Sequence, residues 1–333
     1  MRDSYGRIID YMRISITDRC NLRCKYCMPN GITAIPMEEI LSYEEIITIV
    51  RAASELGISH IKVTGGEPLV RRGCCELIHS MKQIPGIEKV TITTNGVLLN
   101  EYLEPLIAAG IDGINISLDT LDRSLYQQIT GADAFDLVMS NIQKAAESSI
   151  PVKLNAVSLD FSNTNLIQLA RDYAIDVRFI EMMPIGNGKN FESIDHKQLL
   201  SQLETEYPDM KCDHTQHGYG PAVYYKIPGY KGSIGLISAI HGKFCGQCNR
   251  IRLTSQGYLK TCLCYEDGVD LRTILRKTNV ERIQGKECES GQSKVYGELR
   301  NAFQEAIDKK PRAHCFENPE LISEVREMSK IGG

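Results

Sequence analysis

The run Asp10-Tyr11-Met12-Arg13-Ile14-Ser15-Ile16-Thr17-Asp18-Arg19-Cys20-Asn21-Leu22-Arg23-Cys24-Lys25-Tyr26-Cys27 decides how the rest of the chain is read. Asp10–Ile16 is a β-rich stretch, and it feeds directly into a loop whose cysteines are spaced C-x3-C-x2-C. Three thiolates can hold a cube of four irons and leave one iron without a protein ligand. That open iron suits chelation by the amino and carboxylate groups of S-adenosylmethionine (SAM), to which it can pass the electron that splits the sulfonium. The rival reading is a zinc knuckle or three unligated thiols. Structural zinc normally closes with four ligands, and three close cysteines beside an aromatic Tyr26 fit a cluster loop better.

Outward from this run the strand-then-loop order repeats. Asp10–Ile16, His60–Thr64, Lys89–Thr94, Gly113–Leu118, Val152–Val157 and Asp176–Glu181 read as strands, with helical periodicity in the gaps. Ser42 precedes Glu45 as a capping box, apolar Ile46, Ile47, Val50 and Leu56 follow, and Gly57 suits the C-terminal cap. Leu103, Leu106 and Ile107 followed by Gly110 repeat that pattern. Six β–α units in series predict a parallel sheet with helices outside, two units short of a complete eight-unit barrel. The alternation stops near residue 184. The expected fold class is therefore α/β: an incomplete six-unit (β/α) TIM-like barrel over residues 1–184, its mouth covered by a C-terminal α+β module over 185–333. Functional groups of such barrels lie at the C-terminal ends of the strands. The Cys20 loop, Gly65-Gly66-Glu67-Pro68, Thr93-Thr94-Asn95-Gly96, and Ser117 with Asp119 all fall there.

Composition narrows the setting. The 333 residues carry a formal charge of −4, which leaves no electrostatic footprint for nucleic acid or an anionic membrane. The N-terminus has no apolar signal core and no stretch approaches transmembrane length, so the twelve cysteines point to metal-bound thiolates in a reducing cytoplasm rather than to disulfides. Two clustered sets use six of them. Cys74, Cys75, Cys212, Cys288 and Cys315 read as small buried apolar residues, which leaves Cys264.

Gly65 and Gly66 permit a close backbone approach to a ligand such as the SAM amino group, although a Gly-Gly pair alone is equally a tight turn. Phe244-Cys245-Gly246-Gln247-Cys248-Asn249-Arg250-Ile251-Arg252, followed by Cys262, is a second set spaced C-x2-C-x13-C. Its rival reading is a zinc ribbon closed by Cys264 or His241. Arg250 and Arg252 alternate along a strand and share one face beside the metal, where two guanidinium groups suit a polyphosphate or carboxylate; otherwise that face is merely solvated. Arg13, Lys62 and Lys153 occupy strand positions that are usually apolar inside a barrel. A ring of such charges is costly unless an anion fills it, though each alone reads as a snorkelled surface residue. The terminal Gly332-Gly333 is narrow enough to thread into a site, or simply frayed.

Together, Asp18 to Pro29, Thr64-Gly65-Gly66-Glu67-Pro68, Thr94-Asn95-Gly96, Asn115-Ile116-Ser117-Leu118-Asp119, Arg178-Phe179-Ile180-Glu181-Met182-Met183, Gly220-Pro221-Ala222, the second cysteine set and Gly332-Gly333 make the chain resemble the radical SAM GTP 3′,8-cyclases of molybdenum cofactor biosynthesis. The resemblance runs from Arg13 to Gly333. It implies two [4Fe–4S] clusters, the first on Cys20, Cys24 and Cys27, the second on Cys245, Cys248 and Cys262 with its open iron toward the guanine. It also implies a SAM pocket of Tyr26, Gly66, Ser117 and Met183, and GTP contacts from Arg13, Lys62, Thr93, Lys153, Arg250, Ile251 and Arg252. Arg250, Arg252, Gly332 and Gly333 take the catalytic positions. The implied reaction abstracts hydrogen from the ribose 3′ carbon of GTP and closes it onto carbon 8, giving (8S)-3′,8-cyclo-7,8-dihydro-GTP. An external electron donor and a downstream pterin synthase are the implied partners, and a homodimer is compatible with it. Lys62 stands where the family often has an arginine, keeping the charge but losing the bidentate fork, and Cys264 where it commonly has a phenylalanine.

Overall fold

Alternation of polar and apolar residues along short strands builds the frame. The computed structural model describes residues 1–31, 35–159, 161–283 and 290–332. The six expected strands form within a residue of their expected bounds: β1 (Tyr11–Ser15), β2 (His60–Thr64), β3 (Lys89–Thr94), β4 (Gly113–Ser117), β5 (Val152–Ser158) and β6 (Ile175–Glu181). They pair in parallel in chain order. The connecting helices are α1 (Tyr43–Glu55), α2 (Cys74–Lys82), α3 (Leu99–Ala108), α4 (Arg123–Thr130), α5 (Phe135–Glu147) and α6 (Ile167–Asp172). The expected capping box starts α1: Ser42 Oγ accepts from the Glu45 N–H while the Glu45 carboxylate accepts from the Ser42 N–H.

Beyond residue 184 lie α7 (His196–Glu206), β7 (Lys211–Asp213), β8 (Val223–Lys226), β9 (Ile234–Ile237), β10 (Arg250–Leu253), β11 (Tyr258–Lys260), β12 (Gly268–Asp270), α8 (Leu271–Ile283), α9 (Ser290–Asp308) and α10 (Met328–Ile331). This part does not simply cover the barrel mouth, as the loss of alternation suggested. β9 pairs in parallel with β6, and β10 in parallel with β1. The order β12-β11-β10-β1-β2-β3-β4-β5-β6-β9-β8-β7 thus contains eight consecutive parallel strands, with an antiparallel extension on each flank. The two strands missing from the six-unit count come from this C-terminal part, β9 after a connection that carries α7, β7 and β8. The sheet stays open, because no ladder among the described residues joins β12 to β7.

Outward-facing Met12, Ile14, Ile61, Val63, Val90, Ile92, Ile114, Ile116, Leu154, Val177, Phe179, Ile251 and Leu253 are buried in one continuous core under the helices. Each such side chain contributes about 1.5–3 kcal/mol on burial, which offsets an interior face that is largely polar. Cys74 joins this core as expected, whereas Cys212 is exposed because β7 is an edge strand; Cys75 and Cys315 are half-buried, and Cys288 lies outside the described residues. Among the described residues no helix is long and apolar enough to cross a membrane.

Candidate active site

Because the eight central strands run one way, the channel they enclose has two chemically different mouths. A cavity of about 680 Å³ runs between them. At the upper mouth, where β1 to β4 end, Gly66 N–H donates to Thr17 O at 2.7 Å and Glu67 N–H to Arg19 O at 2.8 Å, so the Gly-Gly loop lies directly on the loop of the first three cysteines. A β-carbon at Gly66 would stand 2.3 Å from Arg19 O. These glycines therefore permit a backbone-to-backbone contact before any ligand is considered. The Glu67 carboxylate, buried behind them, accepts from Leu69 N–H, Thr94 Oγ1 and Asn95 N–H, and burial raises it to about 7 despite those donors. Tyr26 donates its hydroxyl proton to Asp119 Oδ2 at 2.6 Å, and Asp119 Oδ1 accepts from Val157 N–H. Tyr26, Gly66, Ser117 and Met183, the residues expected around SAM, all line this end of the cavity.

Burial pushes the thiols of Cys20, Cys24 and Cys27 up, Cys27 to about 12, so thiolates there call for a bound metal as counter-charge. Among the described residues the one trio of His, Cys, Asp or Glu ligand atoms within 4.8 Å of one another is Glu181, Asp195 and His241. Neither cysteine trio is drawn that close, whereas thiolates on tetrahedral zinc at about 2.3 Å would sit roughly 3.8 Å apart.

Cys245 and Cys248 enter β10 from its N-terminal end, and Cys262 follows β11, which runs antiparallel to it. The second trio therefore occupies the lower mouth, opposite the first, with all three residues lining the cavity. Burial alone would push Cys248 up, but Lys310, Arg250 and Arg7 outweigh it and bring the thiol down to about 7. Lys310, itself buried, is fixed beneath this mouth by the carbonyls of Arg250 and Thr261, while Arg7 donates to the carbonyls of Cys245, Pro311 and Arg312. Of the two residues named as a fourth zinc ligand, Cys264 is buried against Cys315 among Ile185, Leu263, Phe316 and Ile331, and His241 is held through Nδ1 by Glu181 Oε1 at 2.6 Å.

Between the mouths lies a belt of cations set by strand register. Arg252 pairs with Arg13, Arg13 with Lys62, Asn115 with Lys153 and Asn155 with Arg178. Lys62 is forced well below its ordinary value by burial and then by Arg178, Arg13, Lys153 and Arg250; Arg252 is lowered by burial, Arg13 and Arg250. Of these cations Lys153 has an acidic partner, Asp176 at 3.0 Å. The Nε atoms of Arg13 and Arg178 and the hydroxyls of Thr64 and Thr93 are buried without a partner. Unspent donors beside crowded positive charge suit a polyanion. Arg13, Lys62, Thr93, Lys153, Arg250 and Arg252 all face this space, whereas the Ile251 side chain turns to the opposite face and packs in the core. Gly332, at φ +78°, threads between Ser15 and Thr64, and its carbonyl accepts from Arg252 Nη1 at 2.5 Å; Gly333 lies outside the described residues.

Sequence reasoning passed over Arg178, whose Nη2 donates to Asn115 and Asn155 Oδ1 at 2.5 Å each. The period of two along Asp176, Arg178 and Ile180 would have found it. It also missed a strap between β7 and β8. His217 sits between Asp176 and Asp213, 2.9 Å from each, and Tyr219 reaches His60 at the foot of β2 with ring centroids 3.4 Å apart.

Residues 14–172 match the model of the Radical SAM superfamily and residues 175–316 that of Molybdenum Cofactor Synthesis C. The chain is 39% identical over 338 residues to the GTP 3′,8-cyclase of Clostridium perfringens (strain 13 / Type A), with all of both chains covered. It is 41% identical over 344 residues to the GTP 3′,8-cyclase of Desulforamulus reducens, again covering both completely. Among solved structures, Streptococcus suis SuiB shares the fold with a TM-score of 0.62 at 14% identity, over 97% of this chain and 77% of that one.

Proposed function

The chain belongs to the GTP 3′,8-cyclase family of radical SAM enzymes, and from that premise we propose how its residues divide the work. The reaction converts GTP to 3′,8-cyclo-7,8-dihydro-GTP, the first step of molybdenum cofactor biosynthesis. SAM on a [4Fe–4S] cluster supplies, when bound, the one-electron chemistry that removes a hydrogen atom from the ribose 3′ carbon. Cys20, Cys24 and Cys27 hold that cluster, and Tyr26, Gly66, Ser117 and Met183 surround SAM. Cys245, Cys248 and Cys262 hold a second [4Fe–4S] cluster at the far mouth, facing the guanine. The observation that carries this reading is the belt between the mouths: Arg13, Lys62, Arg178, Arg250 and Arg252 crowd positive charge around buried, unspent donors.

These cations grip the triphosphate and so fix the ribose between the two ends, spending binding energy remote from the reacting bond on orientation. Arg252 does so while bound to the Gly332 carbonyl, so the tail sets the guanidinium's angle. The strap of His217 and Tyr219 shields the lower mouth from water. Electrons come from an external donor, and the product passes to a pterin synthase. The test is an anaerobic reaction of cluster-loaded protein with SAM, a reductant and GTP deuterated at the ribose 3′ position. Deuterium in the 5′-deoxyadenosine is the expected result; abundant 5′-deoxyadenosine without deuterium would move the site of attack elsewhere.

A further inference from the structure

We propose that Cys264 and Cys315 form a thiol–disulfide modification site, closed by low-molecular-weight disulfides, beside the second cysteine trio but outside it. The two Sγ atoms lie 3.1 Å apart, and the Cys315 N–H donates to Cys264 Sγ at 3.4 Å. A disulfide bond is about 2.05 Å long, so closure asks for an approach of about 1 Å. The apposition is held by contacts that do not involve either thiol. Tyr265 donates its hydroxyl proton to Ala313 O at 3.2 Å, Glu324 N–H donates to Cys264 O at 3.2 Å, and Lys260 and Glu324 form a fully buried ion pair. Ile185, Leu263, Phe316 and Ile331 pack around the sulfurs.

The two cysteines differ in access, which orders the steps. Cys264 is fully buried and Cys315 half-buried, so Cys315 meets the external disulfide first. Its sulfur attacks one sulfur of R–S–S–R; R–S⁻ leaves and takes up the proton lost by Cys315. Cys264 then attacks the Cys315 sulfur of the mixed disulfide and releases a second R–SH, which carries the Cys264 proton. The two cysteines are oxidised, the small disulfide is reduced to two thiols, and neither oxygen nor a metal takes part. The new bond fastens the backbone two residues from Cys262 to the segment that presents His314 to the cavity. The site is a property of the fold and stands whatever reaction the channel carries.

The test uses anaerobically purified, cluster-loaded protein incubated with oxidised glutathione, alkylated, digested without reductant and mapped by mass spectrometry. The expected product is a Cys264–Cys315 cross-link, with both thiols lost together and no glutathione retained. In Cys264→Ser the glutathione should remain trapped on Cys315; in Cys315→Ser, a change at a half-buried position, no cross-link should form and Cys264 should stay alkylatable only after unfolding. Glutathione retained on Cys315 of the unaltered chain, a cross-link from Cys264 to Cys262, or both thiols still free after prolonged exposure would each overturn the proposal.

Discussion

Lys62→Met should move nucleotide binding and ligand-free stability in opposite directions. Lys62 is 9% exposed, and apart from its burial the leading groups that perturb it are all cations: Arg178, Arg13, Lys153 and Arg250. An unpaired buried charge replaced by an apolar side chain of similar length stabilises a fold by about 1–3 kcal/mol, or about 2–4 °C in melting temperature for a chain of this size. On the proposed role of the belt, the same replacement also removes a charge-assisted contact to phosphate, at a cost of about 2–5 kcal/mol, so the GTP dissociation constant should rise by roughly 100-fold. The sign of the pH dependence follows from the lowered pKa. Between that lowered value and the ordinary lysine value the unfolded chain binds more protons than the folded one, so stability rises with pH and the penalty of Lys62 fades above about 10.5. The stabilisation by methionine is therefore largest below that lowered value and shrinks as pH rises toward the ordinary lysine value. Thermal unfolding without nucleotide gives the first quantity, and anaerobic calorimetry of GTP binding the second. A lower melting temperature with unchanged GTP affinity would refute the reasoning and make Lys62 a structural residue.

Gly66→Ala should cost the first cluster, since its β-carbon meets the Arg19 carbonyl at 2.3 Å and a backbone wall cannot swing aside; iron and acid-labile sulfide should fall by about half, and full content would contradict this. Gly235→Ala should weaken GTP binding roughly 10-fold with both clusters retained, because the added carbon would lie 2.8 Å from Arg178 Cγ and 3.0 Å from Tyr224 Cε1; an unaltered dissociation constant would remove Arg178 from the site. Glu67 is raised by burial to about 7, above its ordinary value, so the folded chain binds the extra proton between about 4.5 and 7. Its contribution is fully present below 4.5 and is lost as pH rises through 7, a swing of about 3 kcal/mol. Melting curves of ligand-free protein from pH 5 to 8 should therefore slope downward more steeply than those of Glu67→Gln, and parallel slopes would disprove it.

The first 184 residues were legible because each element there carries its own local signal: a capping box at Ser42, a glycine at φ +91° after α1 and another at φ +81° after α3, and strands of five to seven residues. β9 and β10 escaped recognition as barrel strands because each is four residues long and joins the sheet through partners far away in sequence, Val177–Ile180 and Tyr11–Ile14. For the same reason the sequence could present two cysteine trios without telling that they face each other from opposite mouths; that depends on β11 running antiparallel to β10. Local spacing did reveal which residue types cluster, and it erred at Cys212, where burial is decided by an edge strand rather than by the cysteine itself.

What ties the legible part to the rest is the period of two. On β1, Tyr11 and Arg13 face the channel while Met12 and Ile14 face the helices; on β2, Lys62 and Thr64 alternate with Ile61 and Val63; on β10, Arg250 and Arg252 alternate with Ile251 and Leu253. A register slip of one residue in any of these strands would send cations into the apolar core and isoleucines into the channel. Fold and site are thus specified by the same alternation. The apolar half of each strand supplies the burial energy that lets its charged half remain uncompensated until an anion arrives, and this is why a charge removed from the belt should show up as stability gained.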